Sequence, residues 1–305
     1  MENKKGLFAR IHRDGFTWKD SIIVSILIFS ILFIAGSVIS TGVGELFKQF
    51  TNEGNAEFMK ILRENFGFIG YWIVIFIYLF IVKSDKPILR AFGSEPRGNT
   101  VKMVLLGLLI GLALNALCVG IAVFCGNIQL SYKSFPVLKI LLIFLSVLVQ
   151  SGGEEILCRG VLYQRLRKGY KNPWVAILGN PVIFVLLHIT SPGITIWSVL
   201  SIYIVGVLFS VMVYYLDSLW MAIMMHTAWN FTQNFIFGLP NSGNVYDISI
   251  FTPNSAAAET GLSYNAKFGV EGSLTAVLVL AFAAAVIIFL GKKKNLRSLD
   301  VWENR

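Results

Sequence analysis

Hydrophobic positions are gathered into eight long runs that are separated by short polar segments. The runs lie near residues 21–40, 66–82, 103–124, 138–158, 173–190, 195–215, 218–237 and 273–291. An α-helix needs about 20 apolar residues to cross roughly 30 Å of hydrocarbon, and these runs approach or reach that length. Only Leu216 and Asp217 separate the sixth run from the seventh. The pattern predicts an all-α, polytopic transmembrane helical bundle of about eight spans.

The composition agrees with a membrane protein. The 305 residues are 55% hydrophobic and 14% charged, with a mean hydropathy of +0.69. A soluble domain has about 25% charged residues. The first run, 21–40, is too long for the apolar part of a signal peptide, so it is expected to be a retained span. We therefore expect a multi-pass protein of the cell membrane, with the lipid bilayer as its surroundings.

The basic residues indicate an orientation. The net charge is +9, and 20 of the 26 Lys and Arg lie in the N-terminal tail, in 83–102, in 159–171 and in the C-terminal tail. With eight spans, these four segments all lie on one side of the membrane. Cytoplasmic loops are rich in Lys and Arg, so both termini are predicted to be cytoplasmic. Because the basic residues sit in these short clusters, no nucleic-acid partner is expected.

Two adjacent carboxylates stand in the fourth run, at Glu154 and Glu155. Ionisable residues within a span are costly and are functional candidates by default. Glu155 and Arg159 are four residues apart and can pair, which leaves Glu154 to face a cavity on the same helix face as Gln150. A purely structural anchor of Glu154, Glu155 and Arg159 is the alternative. One arginine does not compensate two buried carboxylates, which argues against that alternative.

Two of the three histidines also lie inside spans. His188 is in the fifth run, and His226 is in the seventh, four residues before Asn230. One carboxylate and two imidazoles can hold a divalent metal, with zinc the expected ion and Glu154, His188 and His226 as its ligands. The same residues can also work without a metal. Glu154 would deprotonate water, His188 would orient it, and His226 with Asn230 would stabilise the oxyanion.

These residues form three motifs in a fixed order. Glu-Glu-x-x-x-Arg ends at Arg159, Phe-x-x-x-His joins Phe184 to His188, and His-x-x-x-Asn joins His226 to Asn230. Together they resemble the motifs of the CAAX prenyl protease and bacteriocin-processing family of intramembrane endopeptidases, also called the Abi or type II CAAX endopeptidase family. The resemblance covers about residues 100–237.

The resemblance implies a role for each motif residue. Glu154 is similar to the water-activating glutamate, and Glu155 with Arg159 to its supporting pair. His188 is similar to the second water-orienting or metal-ligating residue, with Phe184 packed beside it. His226 and Asn230 are similar to the residues on the oxyanion side. The implied function is an endopeptidase that cleaves near the end of a membrane-associated, prenylated or bacteriocin-type peptide, so the expected partner is a peptide or protein substrate.

Two other functions remain open from the sequence. A non-proteolytic immunity or scaffold protein would keep the fold and bind a peptide. A transporter would use buried Glu and His as relay groups, but no inverted repeat supports it. The expected organisation is a cytoplasmic tail (1–20), accessory helices (21–99), a catalytic membrane core (100–237), an outer loop without regular structure (238–272), and a final helix with a basic cytoplasmic tail (273–305).

The depth of the motif residues can also be predicted. At about 1.5 Å per residue, Glu154 and His226 lie at similar distances from the basic segments, whereas His188 lies deeper. The fifth span should therefore begin outside the hydrocarbon, be tilted, or be broken at Pro181. The site is expected in the cytoplasmic half of the bundle.

Overall fold

The computed structural model describes residues 7–254 and 258–303, and helices account for most of them. The basic residues Lys4, Lys5 and Arg305 lie outside the described residues. The helices are α1 (Leu7–Ile11), α2 (Ile22–Lys48), α3 (Ala56–Phe66), α4 (Ile69–Ile81), α5 (Leu89–Phe92), α6 (Val101–Phe124), α7 (Val137–Glu155), α8 (Tyr163–Gly169), α9 (Trp174–His188), α10 (Ile196–Tyr215), α11 (Leu219–Phe231) and α12 (Leu274–Lys293).

Short elements complete the chain. Two π-helical turns follow α7 and α11, at Ile156–Leu162 and Thr232–Ile236. Turns of 3-10 helix lie at Trp18–Asp20, Lys86–Ile88 and Val270–Gly272. Strand β1 (Leu130–Tyr132) pairs antiparallel with β2 (Phe251–Pro253), with Ser131 opposite Thr252. The segment 238–272 was expected to have no regular structure, and β2 and the last 3-10 turn correct this.

The prediction of an all-α polytopic bundle is confirmed. Each of the eight hydrophobic runs corresponds to a helix or to helices that follow one another closely. In the described part of the chain, six helical segments are long and apolar enough to cross a membrane: Ile22–Lys48, Ala56–Ile81, Val101–Phe124, Val137–Gly169, Ile196–Tyr215 and Leu274–Lys293. The fifth run is the shorter helix α9, and the seventh is α11 with its π turn. The count of eight crossings and the cytoplasmic termini stay predictions.

The bundle has two distinct ends. The basic end consists of residues 7–21, 82–100, 163–173, 216–218 and 294–303. Its segments are joined by ion pairs such as Arg13 with Asp300 and Arg165 with Asp85. The loop end consists of residues 49–55, 125–136, 189–195, 237–254 and 258–272. Its segments meet in the β1–β2 pair, and Tyr246 donates a hydrogen bond to Glu64 of α3.

Small residues allow the central helices to approach closely. A Cβ added at Gly107 would lie 2.6 Å from the carbonyl oxygen of Met221, and one added at Gly111 would lie 2.5 Å from that of Met225. Helix α6 therefore packs against the backbone of α11, as the spacing of these two glycines predicts. This contact fixes the helix that carries His226 against the rest of the bundle.

Proline does not interrupt the fifth run. Pro181 lies inside α9, which is continuous from Trp174 to His188. Of the three alternatives expected for the fifth span, the break at Pro181 is absent, and the other two, a start outside the hydrocarbon or a tilt, stay predictions. His188 is the last residue of α9, so its side chain is placed at the end of the helix that faces the loop end of the bundle.

Candidate active site

The two glutamates lie where α7 changes its winding. Helix α7 ends at Glu155, and the next seven residues form a π-helical turn that includes Arg159. π turns inside helices are rare and are frequent at functional sites. Gly152 and Gly153 precede this turn and face α4. A Cβ at Gly152 would lie 2.4 Å from the Trp72 ring, so only glycine allows this close contact.

Glu155 and Arg159 form a buried ion pair. Nη1 of Arg159 donates to Oε1 of Glu155 at 2.8 Å, and both side chains are fully buried. The Arg159 guanidinium also stacks 4.5 Å from the centre of the Phe184 ring and donates to the carbonyl oxygen of Gly206. The predicted pairing is present, and it holds the π turn against α9 and α10.

Glu154 faces the interior cavity. Its side chain is 17% exposed, and its Oε1 accepts a hydrogen bond of 2.6 Å from Nε2 of Gln150. Its Oε2 lies 3.8 Å from Nε2 of His226. A carboxylate that has one oxygen anchored and the other beside an imidazole can accept a proton from a water bound between them.

His226 bridges both glutamates. Its Nδ1 lies 3.0 Å from Oε1 of Glu155, and its ring stacks on Phe209 with the centroids 5.2 Å apart. The ionised Glu155 can only accept, so we assign the proton to Nδ1. In the neutral ring, Nε2 is then an acceptor directed towards Glu154. Donation from Nε2 to an oxyanion would require the imidazolium form.

His188 lines the same cavity from another helix. Its Nδ1 lies 2.9 Å from the carbonyl oxygen of Phe184, so Nδ1 carries the proton and Nε2 is left available. Within the described residues, His188 makes no hydrogen bond to Glu154 or to His226. The Phe184 ring lies 4.8 Å from His188 and 6.2 Å from His226, which places Phe184 between the two imidazoles.

Asn230 presents its amide group to Gln150 and Ser151. Its Nδ2 lies 3.4 Å from Oε1 of Gln150 and 3.5 Å from Oγ of Ser151, which is the long limit for hydrogen bonds. Its Oδ1 accepts from Nδ2 of Asn241 at 3.3 Å. The hydrogen bond from Asn241 thus orients the Asn230 amide, while the N–H donors of this amide make only long, weak hydrogen bonds.

The sequence motifs do not include Glu271, which supports the Asn230 amide through Asn241. Glu271 is buried and accepts hydrogen bonds from Asn241, from Trp229 at 3.2 Å and from Ser242 at 2.9 Å. It lies in the loop before α12, outside the 100–237 segment that was expected to hold the site. The sequence offered one signal for Glu271, which is its position immediately before the last apolar run, 273–291.

The motif residues surround one cavity of about 400 Å³. Glu154, His188, His226 and Asn230 all line it. Phe184, Phe209 and Leu280 line it among the bundle helices, whereas Ser191, Asn241, Ser242, Asn244 and Tyr246 line it from the loop end. The structure therefore brings the four predicted catalytic residues to one cavity and adds a polar rim that the motifs do not contain.

The cavity extends from the middle of the bundle towards the loop end. Glu154 and His226 lie near the middle of their helical segments, and the polar rim belongs to the loop end. The site was expected in the half of the bundle that contains the basic segments. Because these two motif residues lie near the middle of the bundle, that expectation stays a prediction.

The predicted zinc site requires three ligand side chains around one point. Within the described residues, no group of three or more His, Cys, Asp or Glu side chains is arranged to hold a metal ion. Glu154 and His226 face each other, but His188 joins neither of them. As placed, the three side chains do not fit a zinc centre.

The buried Glu271 predicts a pH-dependent stability. Burial raises the pKa of this carboxyl from 4.5 to about 7, against the opposing effect of the hydrogen bonds from Ser242 and Trp229. The folded state then binds more protons than the unfolded state between these pH values, so stability falls as the pH rises from about 4.5 to 7. At about 1.4 kcal/mol per pH unit, the full effect is about 3 kcal/mol.

The check is the thermal unfolding midpoint in detergent between pH 5 and 8. The wild-type midpoint should fall relative to that of Glu271→Gln as the pH rises to 7, because glutamine does not titrate. If the midpoints of the wild type and of Glu271→Gln change in parallel with pH, the raised pKa of Glu271 is contradicted. Glu53→Gln is the matched control, since Glu53 is exposed.

Comparison with known proteins identifies a family for the core of the chain. Residues 136–232, about a third of the chain, match the family model described as type II CAAX prenyl endopeptidase Rce1-like. No curated protein and no solved structure gives a significant match. The matched segment contains all seven motif residues, and the family supports an intramembrane protease of the CAAX type. The resemblance indicated by the motifs is confirmed over this segment, which is similar to the Rce1-like type II CAAX prenyl endopeptidases.

Proposed function

We propose that this protein is an intramembrane endopeptidase that hydrolyses a peptide bond near the end of a membrane-associated peptide. The observation that carries the proposal is the cavity in which Glu154, His188, His226 and Asn230 come together from three helices. Such a constellation supplies a base, a water-orienting imidazole and an oxyanion donor, which are the groups that amide hydrolysis needs.

The contacts suggest a role for each residue. Glu154 takes a proton from water through Oε2, because Gln150 already occupies Oε1. Nε2 of His226 lies 3.8 Å away and can hold the same water through a hydrogen bond. The water oxygen then bonds to the scissile carbonyl carbon, and the weakly occupied N–H donors of Asn230 are free to turn towards the carbonyl oxygen as it becomes negatively charged. Glu154 returns the proton to the amide nitrogen as the C–N bond breaks, which releases the amine.

Glu155 and Arg159 act by positioning. Oε1 of Glu155 accepts from both Arg159 and His226, so one carboxylate fixes the tautomer and the orientation of the imidazole. A buried acceptor behind a catalytic imidazole restricts its motion and determines which nitrogen faces the substrate. Phe184 and Phe209 hold the arginine and the imidazole from the apolar side.

Cleavage assays with purified protein test the proposal. Wild-type protein in detergent is expected to cleave members of a peptide library, while Glu154→Ala and His226→Ala lose the activity. Equal cleavage by all three proteins, or none by any of them, would overturn the proposal. Elemental analysis of active protein, with a chelator control, tests the separate prediction of one divalent metal, for which zinc is the expected ion.

A non-proteolytic immunity or scaffold role is the second candidate. It is supported by the polar rim, which could bind a peptide without cleaving it. If a cellular immunity phenotype survives Glu154→Ala, binding rather than hydrolysis accounts for it. The cell membrane is the proposed location, because the long apolar helices leave no soluble domain in the described chain.

A further inference from the structure

The rim of the active-site cavity belongs to the loop end of the bundle. Ser191 follows α9, and Asn241, Ser242, Asn244 and Tyr246 belong to the loop before α12. Glu64 lies at the end of α3, where its carboxylate accepts a hydrogen bond of 3.0 Å from Tyr246. A peptide that reaches Glu154 through this rim therefore comes from the loop end.

The charge distribution places that end away from the cytoplasm. Among the described residues, 17 Lys and Arg lie in the four segments at or near the basic end, and six lie in or beside the loop-end segments. Lys and Arg are enriched on the cytoplasmic side of membrane proteins. The same rule that predicts cytoplasmic termini therefore predicts that the cavity opens on the opposite side of the membrane.

The described lining of the cavity carries carboxylates and two imidazoles but neither Lys nor Arg. Glu64, Glu154 and Glu271 line it, and the described lining contains no Lys or Arg. Beside the rim, Nζ of Lys60 lies 5.6 Å from the centre of the Tyr246 ring and 3.9 Å from Oε2 of Glu57. A cavity with carboxylates and no cation favours a positively charged peptide segment and disfavours a free C-terminal carboxylate.

We infer that the substrate is a cationic peptide segment that reaches Glu154 from the non-cytoplasmic side of the membrane. This inference rests on the proposed function and adds to it the side of access and the charge of the substrate. Because the described lining has no Lys or Arg to bind a terminal carboxylate, the scissile bond near the end of the peptide is not expected to lie directly at a free C-terminus.

Orientation is tested with the native cysteines. Cys125 is exposed at the loop end after α6, whereas Cys118 and Cys158 are buried. A membrane-impermeant maleimide should label Cys125 in intact cells, and Cys125→Ser should remove the label. In the Cys125→Ser protein, Ser84→Cys at the basic end should be labelled only after permeabilisation, because Ser84 is exposed there. The reverse pattern would overturn the proposed side of access.

Substrate charge and access are tested together in vesicles. Two short-peptide libraries, identical except for Lys or Glu at the central positions, are added to right-side-out and inside-out vesicles. We expect cleavage of the Lys library in right-side-out vesicles, at least severalfold faster than in inside-out vesicles. Cleavage confined to inside-out vesicles, or equal cleavage of both libraries, would overturn the inference.

Detergent-solubilised protein separates the two proposals. If it cleaves neither library faster than Glu154→Ala does, the proposed function fails and this inference fails with it. If it cleaves but shows no preference for Lys, only the inference fails. Glu64→Gln should raise KM for the Lys library by roughly two- to fivefold, which is the usual size of an exposed charge interaction. Glu53→Gln makes the same charge change outside the cavity and should leave KM unaltered.

Discussion

Replacing Glu154 with glutamine is expected to lower kcat for peptide cleavage by about a thousandfold while the protein stays folded. A positioned general base contributes roughly 10²- to 10⁴-fold to such a reaction. Glutamine keeps the size of the side chain and can still accept the hydrogen bond from Gln150, but it cannot take a proton from water. The expected loss therefore falls on kcat and not on KM.

The measurement is kcat and KM in detergent, together with the thermal unfolding midpoint. Glu154 is partly buried in the bundle, so removing its charge should leave the midpoint unchanged or raise it. Glu45→Gln is a suitable control, because Glu45 is exposed and lies outside the cavity. A Glu154→Gln protein with wild-type kcat would rule out Glu154 as the base.

Replacing Arg159 with methionine is expected to destabilise the protein by about 3–5 kcal/mol, the usual cost of breaking a buried ion pair from one side. The change leaves Glu155 charged and buried, with only His226 as a hydrogen-bond donor in the described structure. It also removes the guanidinium from between Phe184 and Phe209, which lie 4.5 Å and 5.3 Å from it.

A double-mutant cycle separates the unpaired charge from the lost packing. Glu155→Gln with Arg159→Met should be more stable than Arg159→Met alone, because no uncompensated charge is then buried. The exposed pair Glu45 and Lys48 provides the comparison, and Lys48→Met should change stability by less than about 1 kcal/mol. The measurement is the free energy of unfolding in denaturant. If Arg159→Met lowers it no more than Lys48→Met does, the pair of Glu155 and Arg159 does not stabilise the fold.

The local part of the site could be predicted from the sequence. The pairing of Glu155 with Arg159 and the hydrogen bond between Gln150 and Glu154 both span one helical turn. Interactions four residues apart depend only on helix geometry, and helices follow directly from the hydrophobic runs. For the same reason, the spacing of Gly107 and Gly111 predicts close packing against a neighbouring helix. It does not identify that helix as α11.

The nonlocal part could not be predicted. Glu271 reaches Asn230 through Asn241, and these three residues are brought together only because the loop before α12 folds back over the end of α11. Of the three alternatives expected for the fifth span, the break at Pro181 is also absent, since α9 accommodates this proline without interruption. Neither result can be obtained from spacing along the chain.

The sequence by itself determined that this protein is a helical membrane bundle, and it determined which ionisable residues lie within the bundle. Both follow from local physics, because apolar length sets the spans and the cost of buried charge singles out the exceptions. Only the tertiary structure decided that His188 and His226 share a cavity with Glu154, and that this cavity extends towards the loop end. Those features depend on how the helices pack and how the loop before α12 covers them, and hydrophobic periodicity carries no information about either.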